Sequence, residues 1–421
     1  MVKEKIYPNG LRLIVDKNKR SKIVSTGIMV NIGSNREEPH EYGLAHFLEH
    51  IMFKSTTTRN FKDTSKLLDG LGIKYNAMTT KQYTYYYMDC IEEILGDTLE
   101  IFADMFFNGL FDKDEIDMEK KVVLEEMNMC EDSPHDILLE NLMDNMYHGK
   151  INGHRILGDR KVIESATPDT LRAFKDKYYR AENMIVTVVG DVDFDKIESY
   201  VDRLFASHFN YKCSPTPRLD IAIEPNIKSK YVAVQKDEKQ VNIAIMIKAP
   251  RINSRLYDAF NVYARILGYG RSSRLFERVR EKDGLCYVID AYPSSNIIAG
   301  NMIVYVAVAQ TEVEKVLIDI KEEICGMIDS VTEEELNRAK VSLKTDLVFA
   351  YDSNGVMAHS NANELYDFGK IFTMSKETKD IEKVTLTQVN DMAKKIAKES
   401  KFVVCAVGNN IDLDVIKRAY K

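Results

Sequence analysis

Two of the eight histidines in the 421-residue chain, His46 and His50, lie four residues apart in a segment with helical character. Residues four apart share one face of a helix, so both imidazoles can reach a single metal ion. Glu49 is three residues from His46 and lies at the edge of the same face. The spacing therefore favours a metal site shared by the two histidines.

The order of these residues is HxxEH, the reverse of the commoner HExxH, and both patterns occur among zinc peptidases. A pair of surface or helix-capping histidines would give the same pattern, so the motif alone leaves that alternative open. A catalytic zinc also needs a third protein ligand and an open position for water. We therefore expect the third ligand to be a carboxylate elsewhere in the chain.

The best source of a third ligand is a second predicted helix. Glu119 and Glu126 are seven residues apart and share one stripe, and Val122 and Val123 between them predict that this stripe faces a core. Glu125 is rotated by about 100° from Glu126 and is expected to be solvated. Buried carboxylates are costly unless they are paired or bind a metal. An amphipathic helix with exposed glutamates remains the alternative for this segment alone.

Strand and helix patterns alternate along the first half of the chain. The predicted strands cover residues 11–15, 23–32, 74–80, 83–91 and 184–189. The predicted helices cover residues 44–53, 64–71, 94–107, 113–129, 137–147, 168–178 and 197–204. The two candidate metal-binding segments therefore lie on helices of one α+β domain.

The second half repeats parts of the first at a nearly constant offset. The segment at 27–30 resembles 244–247 at an offset of 217, and 184–191 resembles 402–409 at an offset of 218. These offsets predict two copies of one α+β domain, a chance match of short apolar strands being the alternative. Three prolines close to one another, Pro215, Pro217 and Pro225, indicate an extended linker. The predicted organisation is a domain over 1–207, a linker over 208–228 and a domain of similar fold over 229–421.

Composition excludes several other classes of function. The 65 acidic residues outnumber the 58 basic ones, so a general nucleic-acid footprint is absent and no nucleic-acid partner is expected. No apolar run approaches the roughly 18 residues of a membrane span, and no membrane partner is expected. The six cysteines form no CxxC pair, which argues against a cysteine zinc site and favours reduced thiols. Because the first residues contain no signal-peptide core, we expect a cytoplasmic protein.

The chain resembles the pitrilysin/insulinase family of inverted-motif zinc peptidases. It is most similar to the short form represented by the mitochondrial processing peptidase β subunit. The likeness covers nearly the whole chain and rests on the HxxEH motif, on Glu126 following His50 after 76 residues, and on further segments. These segments are 76–79, 82–87, 270–276 and 280–287.

The resemblance implies a fold, a cofactor and a set of site residues. The fold would be α+β, with two similar α/β-sandwich domains related by pseudo-symmetry, as in LuxS/M16-like metalloenzymes. His46, His50 and Glu126 would bind one Zn²⁺ per chain in the N-terminal, catalytic domain. Glu49 would be the general base, and Glu119 would be a supporting carboxylate.

The resemblance also assigns substrate contacts. Arg280 and Tyr287 match a pair that holds the substrate and assists the transition state, which makes the C-terminal domain substrate-binding. Asn76, Ala77 and Thr79 match the strand that receives an extended peptide by β-augmentation. The chain departs from the family at two positions, Ser55 in place of a glycine and Cys286 in place of a small residue, which puts only local backbone fit in doubt.

The resulting hypothesis is a zinc-dependent endopeptidase, a metalloendopeptidase that hydrolyses short or unfolded peptides. The chain has about half the length of the fused family members, which favours a homodimer. Two alternatives stay open: a non-catalytic peptide-binding or scaffold subunit, and the catalytic half of a heterodimer.

Overall fold

The computed structural model describes residues 2–219 and 221–421, which form two compact units, each built around one β-sheet. The strands are β1 Val2–Ile6, β2 Arg12–Lys17, β3 Ile23–Val30, β4 Lys74–Thr79, β5 Thr84–Ile91, β6 Met184–Gly190, β7 Tyr231–Gln235, β8 Val241–Lys248, β9 Cys286–Ser295, β10 Gly300–Val308 and β11 Phe402–Gly408.

Helices account for much of the remaining chain. They are α1 Leu44–Ile51, α2 Phe61–Leu71, α3 Leu95–Phe107, α4 Lys113–Asp132, α5 Pro134–Met146, α6 Arg160–Ser165, α7 Pro168–Tyr178, α8 Phe194–Leu204, α9 Tyr257–Gly268, α10 Val313–Gly326, α11 Glu333–Asp352, α12 Asn354–Phe368, α13 Met374–Lys383, α14 Leu386–Ala397 and α15 Leu413–Ala419. A π-helix covers Phe276–Lys282. No helix in the described residues combines the length and the apolar character needed to cross a membrane.

The first unit contains the sheet β1-β2-β6-β3-β5-β4, in which β2 and β6 are parallel and the other neighbours are antiparallel. Successive side chains of a strand point to opposite faces. Ile28 and Val30 of β3 therefore face the main core, while Met29 between them faces a second apolar cluster. Both faces of the sheet are covered, which explains the nearly unbroken apolar sequences of its central strands.

The second apolar cluster is completed by α12, which comes from late in the chain. Its Ala362, Leu365 and Tyr366 are buried against the sheet residues Ile14 and Met29. The first unit accordingly combines the chain up to Asn128 with two later segments, His154–Arg218 and Phe349–Phe372.

The second unit contains the sheet β7-β11-β8-β10-β9, with β7 and β11 parallel and the other neighbours antiparallel. This order and these directions match β2-β6-β3-β5-β4 of the first unit. One face of the sheet is covered by α5, whose Leu138, Leu142 and Met146 are fully buried. Fully burying a leucine contributes about 1.5–3 kcal/mol, so these three side chains fix the helix on the sheet.

The predicted fold class is confirmed: the chain has two α+β units of similar topology. Each unit takes one helix from the other half of the sequence, since α5 belongs to the second unit and α12 to the first. The sequence pattern does not predict this exchange. The predicted domain boundaries, with domains over 1–207 and 229–421 and a linker over 208–228, stay a prediction.

We expect Asp367, near the end of α12, to make stability depend on pH. Its side chain is 2% exposed, and its Oδ1 has no hydrogen-bond partner among the described residues. Burial raises the pKa of Asp367 to about 7, although the nearby Arg218 lowers it in part. An unfolded aspartate titrates near pH 4. The protonated carboxyl therefore contributes fully to the free energy of unfolding below pH 4, and this contribution is lost as the pH rises to about 7.

Replacing Asp367 by Asn should remove this loss. Relative to the wild type, Asp367→Asn should raise the urea midpoint of unfolding at pH 7.5 and have little effect at pH 4.5. Between pH 4 and pH 7, the free energies of unfolding of the variant and the wild type should diverge by at most about 1.4 kcal/mol per pH unit. The exposed Asp69 of α2 provides the control, and Asp69→Asn should give parallel curves. Parallel curves for Asp367→Asn would show that the buried carboxyl does not control this dependence.

Candidate metal centre

Helix α1 carries the HxxEH motif and is fixed at its N-terminus by a residue from outside the helix. Its N-cap is Gly43, which has no side chain and adopts φ +96°. The buried Glu37 takes over the capping role: its two carboxylate oxygens accept hydrogen bonds from the backbone N–H groups of Gly43 at 2.9 Å and Ala45 at 2.7 Å. Since these N–H groups have no partner within the helix, Glu37 determines where α1 begins.

The two faces of α1 have different partners. Phe47, Leu48 and Ile51 pack into the main core of the first unit, which fixes the rotation of the helix about its axis. His46 and His50 lie on the opposite side, with their ring centres 4.7 Å apart. The apolar face therefore determines the direction in which the imidazoles point.

The geometry of three side chains fits a bound metal ion. His46 Nε2 lies 3.7 Å from one carboxylate oxygen of Glu126, and His50 Nε2 lies 3.5 Å from the other. One ligand atom from each of the three residues lies within 4.8 Å of the other two. Zinc–nitrogen bonds of about 2.0–2.1 Å in a tetrahedral site place neighbouring ligand atoms about 3.4 Å apart. The observed separations are long for hydrogen bonds and suit ligands of one ion.

The protonation of His46 also suits a metal ligand. Burial, together with a smaller effect of the neighbouring His50, lowers the pKa of His46 to about 3. The imidazole is therefore neutral at physiological pH and offers a lone pair. Its Nδ1 is buried and has no hydrogen-bond partner among the described residues, which leaves Nε2 as the atom that faces Glu126.

Glu119 orients His50. Its Oε1 lies 2.8 Å from His50 Nδ1, and because a carboxylate can only accept, Nδ1 donates and Nε2 keeps its lone pair for an ion. Burial lowers the pKa of His50, but the hydrogen bond and charge of Glu119, together with the charges of Glu126 and Glu49, outweigh burial, and the net shift is upward. For Glu119 itself, burial raises the pKa, while His50 and Lys54 lower it more strongly.

Lys54 is a site residue that the sequence analysis missed. Its Nζ lies 2.5 Å from Oε2 of Glu119, so Glu119 accepts a hydrogen bond at each of its two oxygens. The signal was present in the sequence, because Lys54 follows His50 at the same four-residue spacing that separates His50 from His46. The lysine compensates the charge of a carboxylate that would otherwise be buried without a cation.

Glu49 extends toward the edge strand β4. Its Oε2 accepts a hydrogen bond from the hydroxyl of Thr79, the last residue of that strand. Burial raises the pKa of Glu49, while the Thr79 hydrogen bond and the charge of His50 lower it in part. The structure thus brings the proposed base and the proposed substrate strand into direct contact.

Strand β4 is the last strand in its sheet, and in the part of the chain that the structure describes only one of its edges is paired, with β5. Asn76 is exposed, and Ala77 and Thr79 are half-buried. The free edge offers backbone donors and acceptors of the kind that bind an extended peptide. The roles of these three residues in substrate binding stay a prediction.

Arg280 and Tyr287 belong to the second unit. Arg280 lies in the π-helix Phe276–Lys282, and Tyr287 lies in β9. The guanidinium carbon of Arg280 is 4.8 Å from the centre of the Tyr287 ring, which is within the range of a cation–π contact. Tyr287 is 76% exposed. The two side chains form a pair, and their part in the reaction stays a prediction.

One expectation for α4 was wrong in part. Glu119 and Val123 are buried and Glu125 is exposed, as the helical stripe predicts. Val122, however, is 50% exposed, because it lies on the flank of α4 beside the two glutamates. The stripe therefore borders the core along one side only. Ser55, the departure from the family glycine, is buried and bonded, with its hydroxyl donating to Glu115 at 2.5 Å.

Comparison with known proteins determines the family. The family described as insulinase (peptidase family M16) matches residues 12–160, and the peptidase M16 inactive domain matches residues 165–343. A Bacillus subtilis protein named uncharacterized zinc protease YmxG is 31% identical over 95% of this chain and 96% of its own length. The chain belongs to peptidase family M16.

Other relatives agree with this assignment. An uncharacterized zinc protease from Rickettsia felis is 32% identical over 92% of this M16 chain and 93% of its own length. Two solved structures share the fold. A protease from Helicobacter pylori has a TM-score of 0.85 at 22% identity, covering 97% of this chain and 99% of its own. A peptidase M16 inactive domain from Pseudomonas fluorescens has a TM-score of 0.88 at 18% identity, covering 97% and 98%.

We expect the Glu37 cap to control zinc affinity. Glu37→Gln keeps one oxygen but places an amide N–H₂ against a backbone N–H, so the first turn of α1, just before His46, should loosen. Zinc affinity should fall about 10–100-fold, the usual effect of losing a group that supports metal ligands. Competition with a chromogenic chelator measures this affinity, and thermal unfolding of the metal-free protein measures the loss of the cap.

The neighbouring Glu38 provides the matched control. Its side chain is largely exposed and forms an ion pair with Lys177, a type of contact that contributes little. Glu38→Gln should therefore keep the zinc affinity of the wild type. An equal loss of affinity in Glu37→Gln and Glu38→Gln would show that the cap has no special role.

Proposed function

We propose that this M16 protein is a zinc-dependent endopeptidase that hydrolyses short or unfolded peptides. The observation that carries the proposal is the convergence of His46, His50 and Glu126, whose ligand atoms lie within 4.8 Å of one another. The zinc-protease names of its relatives support the same metal. We further propose one zinc ion per chain, a cytoplasmic location and a homodimer.

The proposed ligand set determines the chemistry at the site. His46 and His50 would bind through Nε2, and Glu126 through a carboxylate oxygen. Two neutral imidazoles and one carboxylate leave a bound Zn²⁺ with a net charge near +1. The chemistry that a zinc ion held by these residues would supply is polarisation of the peptide carbonyl and a bound water whose pKa is lowered to about 7.

Glu49 would transfer the proton. Its carboxylate accepts a proton as water attacks the peptide carbonyl and then delivers it to the leaving amine. Its half-buried position limits competition from bulk water. Arg280 and Tyr287 would hold the substrate and assist the transition state.

The free edge of β4 would bind the substrate main chain. This edge would form hydrogen bonds with the main chain of the peptide, so binding would depend only weakly on the sequence of the peptide. Only an extended segment can pair in this way, so the site favours unfolded peptides over folded proteins. The description "inactive domain" concerns residues 165–343, which do not include the HxxEH motif or Glu126, and therefore does not favour the non-catalytic alternative.

The test is cleavage of a quenched fluorescent peptide with and without a chelator. Glu49→Gln should bind one equivalent of zinc and lose about 10²–10⁴-fold in kcat, the usual contribution of a general acid–base group. Glu126→Ala should lose zinc affinity as well as activity. Zinc content is measured by atomic emission on the same samples.

The control is Glu125→Gln, which alters an exposed carboxylate next to Glu126 on the same helix. It should retain both zinc and activity. Wild-type turnover in Glu49→Gln, or cleavage that survives complete removal of zinc, would refute the mechanism. Light scattering of the active protein tests the proposed homodimer, and a monomeric active species would refute that part.

A further inference from the structure

The Thr79 hydroxyl is the feature that ties the substrate strand to the proposed base. Thr79 ends β4, and its backbone is held in register opposite Thr84 of β5. Along β4, the side chains of Tyr75, Ala77 and Thr79 are half-buried, whereas the alternate residues are exposed. The Thr79 side chain therefore points to the face of the sheet on which α1 lies, and its hydroxyl donates to Oε2 of Glu49.

This contact leaves one oxygen of Glu49 for chemistry. Among the described residues, the hydrogen bonds of the Glu49 side chain involve only Oε2, so Oε1 can receive a proton from water. A glutamate side chain has three rotatable bonds, and a carboxylate held at one oxygen loses most of this freedom. Threonine is suited to the task, because its branched side chain is restricted at χ1 in a strand.

We propose that Thr79 is a positioning residue that fixes the Glu49 carboxylate for proton transfer. The inference rests on the proposed function. It adds a side-chain role to a residue otherwise predicted to contact substrate through its strand. A peptide that pairs with β4 would hold the strand in place and, through Thr79, the base as well. Substrate binding and orientation of the base would then depend on the same residue.

The proposal predicts a separation of kcat from KM. Thr79→Val keeps the shape of the side chain and its strand preference but removes the donor. Its kcat should fall about 10–100-fold while KM changes less than threefold, because the main-chain pairing of β4 is retained. Thr79→Ser restores the hydroxyl and should recover kcat to within about threefold of the wild type. Combined with Glu49→Gln, Thr79→Val should cause no further loss of kcat.

A structural readout makes the test independent of activity. In a crystal structure of zinc-loaded Thr79→Val, the Glu49 carboxylate should leave its wild-type position or occupy more than one rotamer. Zinc content and the melting temperature should equal those of the wild type. Thr387→Val is the matched control, since it makes the same replacement at an exposed threonine of α14, outside the candidate site, and it should keep wild-type kcat and the Glu49 position.

Several outcomes would overturn the proposal. These are an unchanged kcat in Thr79→Val, a change confined to KM, a failure of Thr79→Ser to rescue, or a Glu49 carboxylate that stays in place without the hydroxyl. Failure of the proposed function gives a different result, namely a wild-type protein whose zinc-loaded form cleaves no peptide. The crystallographic comparison still decides whether Thr79 holds Glu49 in that case.

Discussion

A buried carboxylate needs positive or hydrogen-bonding partners, and the arrangement of the metal site follows from how Glu119 obtains them. Glu119 of α4 accepts a hydrogen bond from His50 of α1 on one oxygen and from Lys54 on the other. Removing either partner would leave one oxygen of this buried carboxylate without a hydrogen bond, which costs about 1–3 kcal/mol. The pair of contacts fixes the distance between the helices, and Glu126, two turns further along α4, then faces both imidazoles.

Much of this site could be predicted from sequence because it obeys helical periodicity. The four-residue spacing of His46 and His50, and the seven-residue spacing of Glu119 and Glu126, determine which side chains share a face. Periodicity does not reveal contacts between segments that are distant in sequence. The capping of α1 by Glu37 was missed for that reason. Val122 was expected to face the core because spacing alone does not distinguish residues at the centre of a helical stripe from those on its flank.

The sequence predicts that the chain contains two copies of one domain, but it does not predict which helices pack on which sheet. Helices α5 and α12 begin 220 residues apart, at Pro134 and Asn354, and each has a serine N-cap whose hydroxyl accepts a backbone N–H. They are equivalent elements, and each packs on the sheet of the unit formed mainly by the other half of the chain. The periodicity of an amphipathic helix predicts that the helix has an apolar face, but it does not predict which sheet that face will pack against.

The repeat also explains why the candidate metal ligands lie on helices whose counterparts in the second unit do not carry them among the described residues. Helix α9 follows β8 as α1 follows β3, and an offset of 217 places Tyr263, Ile266 and Leu267 where α1 has its two histidines and its glutamate. All three are buried in the core of the second unit. The same helix thus packs as core in one copy and presents candidate ligands in the other, so the proposed chemistry would depend on a few side chains of α1 and α4 and not on the shared fold.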